Sequence, residues 1–161
     1  DVIFSTSSSA PTLPTNYTQY RYIGAGLTNG SAQWVKFTQA GDDFYWTTPV
    51  LDISVAASAT EALVALTVPR GRKMKAHFNT RISTGGTELI YISDPDNDDL
   101  AASATVAPLG TIGFSTNGSA AAQGSVWTNT SAQIAHRSSN TSGGTLYLST
   151  IGWTDRRGRN S

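Results

Sequence analysis

RKMKAHFNTRIS, residues 72–83, places Met74, Ala76, Phe78, Thr80 and Ile82 in strict alternation with Lys73, Lys75, His77, Asn79 and Arg81. Successive side chains of a β-strand point to opposite faces, so this pattern predicts a half-buried strand with one face on a core and the other turned to solvent or a partner. What that second face meets is the functional question.

Working outward, 61–68 carries apolar residues in both phases and reads as a strand buried on both sides, joined to the first by Pro69-Arg70-Gly71. Downstream, Thr84-Gly85-Gly86-Thr87 predicts a reversal into a further strand, ELIYIS at 88–93. Upstream, strands are expected at 43–48, closed by Pro49, and at 51–56. Before these, 17–27 and 33–39 flank Thr28-Asn29-Gly30-Ser31, and Asn-Gly between β-like runs is a strong hairpin signal. DVIFS at 1–5 reads as a short strand, and the Ser/Pro-rich TSSSAPTLP after it as a loop or linker.

Residues 94–124 are rich in Asp, Ala, Ser and Gly, and predict mostly irregular chain with one short strand at 111–115. The alanines of 101–107 and 120–122 show no helical stripe. Strands at 125–128, 133–137 and 145–153 complete the chain, separated by turns at 129–131 and 140–144. About ten strands and no helix predict an all-β, antiparallel two-sheet β-sandwich, of jelly-roll type. Residues 1–16 are read as an N-terminal strand and Ser/Pro-rich segment, and 17–161 as one sandwich domain.

With 161 residues, one domain can bury roughly two thirds of its unfolded surface. Eleven basic residues balance eleven acidic ones, so the basic footprint of a nucleic-acid binder is missing. There is no cysteine to staple the fold, attack a substrate or bind a soft metal. No apolar run approaches the ~20 residues of a membrane-crossing helix, so membrane insertion of that kind is not expected. Five Asn-x-Ser/Thr sequons, at Asn16, Asn29, Asn117, Asn129 and Asn140, are either glycan acceptors or chance triplets in a Ser/Thr-rich chain.

The acidic run Asp94-Pro95-Asp96-Asn97-Asp98-Asp99 spaces Asp94, Asp96 and Asp98 as calcium loops do, because hard oxygen ligands must converge on one ion. Against calcium, Asp99 stands where an EF-hand needs glycine and Thr105 where it needs glutamate, so a solvated turn is the competing reading. His77 and His136 sit in alternating strands, outside any zinc or triad motif. Asp42, Asp43, Asp52, Glu61 and Glu88 could serve glycoside hydrolysis only if two met across a cleft, which nothing in the spacing arranges. Without a nucleophile elbow, phosphate loop or dinucleotide fingerprint, an enzyme is not expected, nor is a cofactor.

Eight of the fifteen aromatic residues fall between Tyr17 and Trp46, and on alternating strands they cannot all face inward. They are core or subunit interface, or an exposed platform for sugar rings. Candidate ligand contacts are Trp34 and Trp46 as stacking surfaces, with Lys75, His77 and Arg81 on the polar face of the opening strand. Two basic clusters, RGRKMK at 70–75 and RRGR at 156–159, read as a solvated turn and tail or as contacts to an anionic glycan or a neighbouring subunit.

Three phrases, APTLPTNY at 10–17 running into YRYIG at 20–24, FTQAGD at 37–42 and IGWTDRRGR at 151–159, together resemble the C-terminal β-rich module of tailed-phage and prophage virion proteins, of the tail-fibre or surface-appendage type. The resemblance brackets most of the chain. It implies a β-sandwich that is homotrimeric in a fibre, is displayed on the virion surface beside other virion proteins, and binds host surface polysaccharide or protein. It also implies a stretch upstream of Asp1. No ligand residue is carried over by it.

Overall fold

A computed structural model of the chain describes residues 2–103, 112–139 and 144–157, apart from the side chains at 84–87 and 112–117. Seven strands occur among the described residues and all pair antiparallel: β1 Phe37–Ala40, β2 Asp43–Ala56, β3 Ala62–Ala65, β4 Lys75–Ser93, β5 Ile112–Trp127, β6 Gln133–Ser138 and β7 Thr145–Thr154. They hydrogen-bond in the order β1-β2-β7-β4-β6-β3, with β5 along the other edge of β4.

The alternation in the opening stretch builds β4, where Ala76, Phe78, Thr80 and Ile82 are buried and Asn79 and Arg81 exposed. The predicted reversal at 84–87 does not occur. Here β4 uses three residues where β5 uses one, between the pairs Ser83–Ser119 and Thr87–Asn117, so the two glycines supply a bulge that bends the strand without ending it. The bend gives β4 two sets of neighbours. Residues 75–83 pair with β7 to form a five-stranded sheet, β1-β2-β7-β4-β5, and residues 90–93 pair with β6, which carries β3.

The two sheets close on one core that takes Phe44, Ile53, Phe78, Leu146 and Leu148 from the first and Ile90, Ile92 and Ile134 from the second. The expected two-sheet antiparallel sandwich is what forms; a jelly-roll winding does not follow from this strand order. Cross-ties run from the segment after β3 to the other sheet. Thr67 N–H donates to Asp52 at 2.7 Å, the Thr67 and Thr150 hydroxyls donate to the same carboxylate, and Trp46 Nε1–H donates to the Thr67 carbonyl at 2.9 Å.

Several expectations need correction. Pro49 does not end a strand: β2 runs through it, because residues 46–49 bulge away from β7 between the pairs Tyr45–Gly152 and Val50–Thr150, where a missing N–H costs no ladder bond. Within 94–124 the short strand expected at 111–115 is longer, since 112–124 belongs to β5, a strand of small residues paired with β4 on one edge; residues 94–103 carry no strand. Conversely, residues 2–5 and 17–27 form no strand. One isolated bridge, Thr28–Trp34, is the only strand-type pairing before β1 among the described residues, and positive φ at Asn16 (73°) and Gly24 (151°) interrupts extended chain there. The alanine-rich 104–107 and the turn at 140–143 lie outside the described residues.

At the open end of the sandwich, Trp153 is fully buried, stacks on Phe44 at 5.0 Å and 7°, and touches Trp46 and Phe37 at 4.6 and 5.8 Å. Gly152 makes this approach possible, because a Cβ there would lie 2.1 Å from the Phe44 carbonyl oxygen. Gly152→Ala is therefore expected to force β2 from β7 and to lose about 3 kcal/mol in urea unfolding; a wild-type midpoint would mean that the strands separate freely. Asp52→Ala, which strands one N–H and two hydroxyls, should lose about 3 kcal/mol as well, and an unchanged midpoint would show that the cross-tie adds nothing.

Candidate functional site

Lys75, His77, Asn79 and Arg81 share the outer face of the five-stranded sheet, opposite the buried Ala76, Phe78, Thr80 and Ile82. On this face an open groove of about 240 Å³ is lined by Tyr45 of β2, Ile151 of β7, His77 of β4, and Gln123, Gly124 and Ser125 of β5. Its position follows from a bulge. His77 pairs with Gly152 and Phe78 with Thr150, leaving Ile151 out of register in the middle of the sheet.

The Tyr45 ring, 40% exposed, stacks on the His77 imidazole at 6.0 Å and 25°. Thr154 Oγ1 donates to Asp43 Oδ1 at 2.5 Å and lies 2.8 Å from His77 Nε2. With its proton committed to Asp43, the hydroxyl accepts from Nε2–H, which leaves His77 Nδ1 as the acceptor of a neutral ring. Burial holds the His77 pKa below its usual value, and Lys75 works in the same direction against the opposing pull of Asp43. In a nucleophilic triad the imidazole lies between hydroxyl and carboxylate; here the hydroxyl lies between the other two, an order that fixes a ring and activates no nucleophile. The groove thus offers an aromatic surface, an imidazole acceptor, an amide and a hydroxyl, which suits a neutral, hydroxyl-bearing ligand.

Of the candidate contacts, Lys75, His77 and Arg81 come together on this face, Arg81 donating to Ser119 at 3.3 Å. Trp34 is exposed but lies in the hairpin before β1, where its ring meets Phe4 at 5.5 Å. Trp46 does not face solvent as expected: it is buried in the aromatic cluster, and its neighbour Tyr45 takes the outward place. Sequence reasoning missed Tyr45, Gln123 and Ser125.

The carboxylates of the acidic run turn to different partners. Asp94 and Asp96 face the Lys73 ammonium, Asp94 at 3.2 Å, and Asp94 Oδ1 accepts the Asp96 N–H. Asp98 lines a separate small cavity with Glu61, Asp99, His136 and Arg137, in which Arg137 pairs with Asp99 at 2.9 Å. No group of three or more His, Asp or Glu side chains suited to a metal occurs among the described residues.

Three arginines of the basic clusters contact the chain itself. Arg72 lies 4.8 Å over the Tyr22 ring, Arg156 lies 5.3 Å over Trp127, and Arg157 donates to the Gly41 carbonyl at 2.6 Å. Tyr22 in turn donates to Asp155 at 2.6 Å; burial, and then that bond, push its hydroxyl pKa far above the usual range. Arg159 lies outside the described residues.

No protein-family model matches the chain, and none of the curated proteins compared is similar to it.

His77 and His136 both have pKa values lowered by burial, from about 6.5. Above that value both rings are neutral in either state. Below it, the unfolded chain takes up protons that the folded chain resists, so stability falls with pH from about 6.5 down to the folded values. Urea midpoints from pH 7.5 to 5 should drop accordingly, and less steeply in His136→Gln; a flat wild-type profile would contradict the burial of neutral imidazoles.

Proposed function

We propose that this chain is a non-catalytic module of a phage virion appendage, displayed at a fibre or spike tip as a homotrimer, which attaches to host surface polysaccharide through the outer face of its five-stranded sheet. The family comes from the three phrases that resemble tailed-phage virion modules. The observation that carries the ligand class is the groove itself: the half-exposed Tyr45 ring, stacked on a neutral imidazole and bordered by Gln123 and Ser125, offers apolar and hydrogen-bonding contacts side by side, as a sugar ring requires. A protein receptor could use the same face.

A second reading, a structural virion component such as a capsid decoration or fibre connector, is favoured by a different observation. The phrases that carry the resemblance are spent on internal contacts: Tyr22 on Asp155, Arg157 on Gly41, and Phe37 on Trp153. This reading predicts affinity for another virion protein and none for cells.

Glycan arrays and bacterial cells separate the two. Binding is expected for the wild type and should fall at least ~10-fold, about 1.4 kcal/mol, in Tyr45→Ala with thermal stability preserved. Absence of binding to glycans and cells, together with capture of a virion protein, would favour the structural reading. Shortening of the polysaccharide on incubation would overturn the non-catalytic assignment.

A further inference from the structure

The nonapeptide LTNGSAQWV at 27–35 returns as WTNTSAQIA at 127–135, with Thr, Asn, Ser, Ala and Gln at matching places. Both copies fold into the same loop. In the first, Asn29 Oδ1 accepts the N–H groups of Ser31 and Gln33 at 2.9 and 3.0 Å, Ala32 N–H donates to the Asn29 carbonyl at 3.0 Å, and Asn29 N–H donates to the Gln33 carbonyl at 2.8 Å. In the second, the bonds from Ser131, Gln133, Ala132 and Asn129 repeat them at 2.9, 2.9, 3.1 and 3.0 Å. Even the strained residue matches, with φ of 58° at Ala32 and 61° at Ala132.

The surroundings of the two loops are opposite. The 129–133 loop is docked by the bent segment 66–71 of its own chain: Leu66 N–H donates to the Ala132 carbonyl at 2.9 Å and Gly71 N–H to the Thr130 carbonyl at 2.8 Å. Thr128, Ala132 and Ile134 are fully buried beneath that stretch. At 29–33 no described residue donates to the Gly30 or Ala32 carbonyls; Thr28 and Ala32 are exposed, and Trp34, in the place of Ile134, is 53% exposed. Eight of the twelve large apolar side chains exposed among the described residues lie before β1 ends, from Val2 to Phe37. A buried Ile134 in one copy and a half-exposed Trp34, touched by Phe4 of its own chain, in the other are the same loop with and without a donor segment over its carbonyls.

We infer that the 27–35 hairpin docks on a second copy of this chain, taking backbone N–H donors from that copy at the Gly30 and Ala32 carbonyls and burying Trp34. The docked twin shows what kind of segment covers this loop. A second copy is the occupant because the exposed apolar surface is concentrated around one segment, and because a chain with no net charge meets its own copies without repulsion. The homotrimer proposed above supplies the setting, and the inference rests on that reading for its partner.

Light scattering over a range of concentrations tests it. The wild type should give a multiple of 17.0 kDa, and the double variant Ala32→Glu, Trp34→Ser a single-chain mass with cooperative unfolding retained. Trp34 emission should shift to the blue as concentration rises. A wild type of single-chain mass at every concentration, or a double variant that keeps the multimer, overturns the inference. Should the double variant fail to fold, amide exchange in the wild type decides: protection at 27–35 that grows with concentration supports docking, and protection independent of concentration overturns it. Host attachment is read separately. A monomeric wild type that still binds glycan removes this inference and leaves attachment standing, whereas a multimer that binds no host surface does the reverse.

Discussion

Because β4 pairs with β7 over residues 75–83 and with β6 over 90–93, the two sheets share a strand, and the bulge opposite Gly118 sets how one is turned over the other. The core residues of both sheets are brought face to face by that bend. The cross-tie through Asp52 and the Trp46–Thr67 bond then fix the free side of the sandwich, so that the bend acts as a hinge closed by a clasp. On the outer surface the same geometry spreads Lys75, His77, Asn79 and Arg81 beside the bulged Ile151, and this juxtaposition makes a groove where a regular sheet would be flat.

How much of this was legible depends on how strongly each segment alternates. The β4 pattern announced its own two faces, and with them Lys75, His77 and Arg81, because apolar and polar residues take turns without error. Phe44-Tyr45-Trp46 carries no such information. All three are aromatic, so the phase of the strand is silent in the sequence, and a shift of one residue exchanges Trp46 for Tyr45 as the outward ring. Glycine pairs signal special backbone, but whether they reverse a strand or bulge it depends on the partner across the ladder, as at Gly85-Gly86. The middle of β5, between the strands expected at 111–115 and 125–128, was hidden for a related reason: its Ala, Ser and Gly side chains lack periodic contrast, and the strand is specified by pairing with β4. The repeated Asn-x-Ser-Ala-Gln was open to view and becomes informative when the two copies are set against each other.

The phrases that carry the resemblance meet in space although they are far apart in the chain. Tyr22 reaches Asp155, the Asp155 N–H donates to the Asp42 carbonyl at 2.9 Å, Arg157 reaches Gly41 and lies 5.9 Å over Phe44, and Phe37 packs on Trp153. These phrases mark the closure of the fold. Apart from Ile151, the groove draws on different residues.

The pairing of β2 with β7 has a consequence for how the chain comes into being. Residues 43–56 obtain their long partner only when 145–154 have been made, and β1 pairs with β2 alone among the described strands. During synthesis residues 43–56, with their aromatic rings, must therefore wait with one edge unpaired until 145–154 emerge. A nascent chain released or stalled before residue 145 would expose that edge to its neighbours.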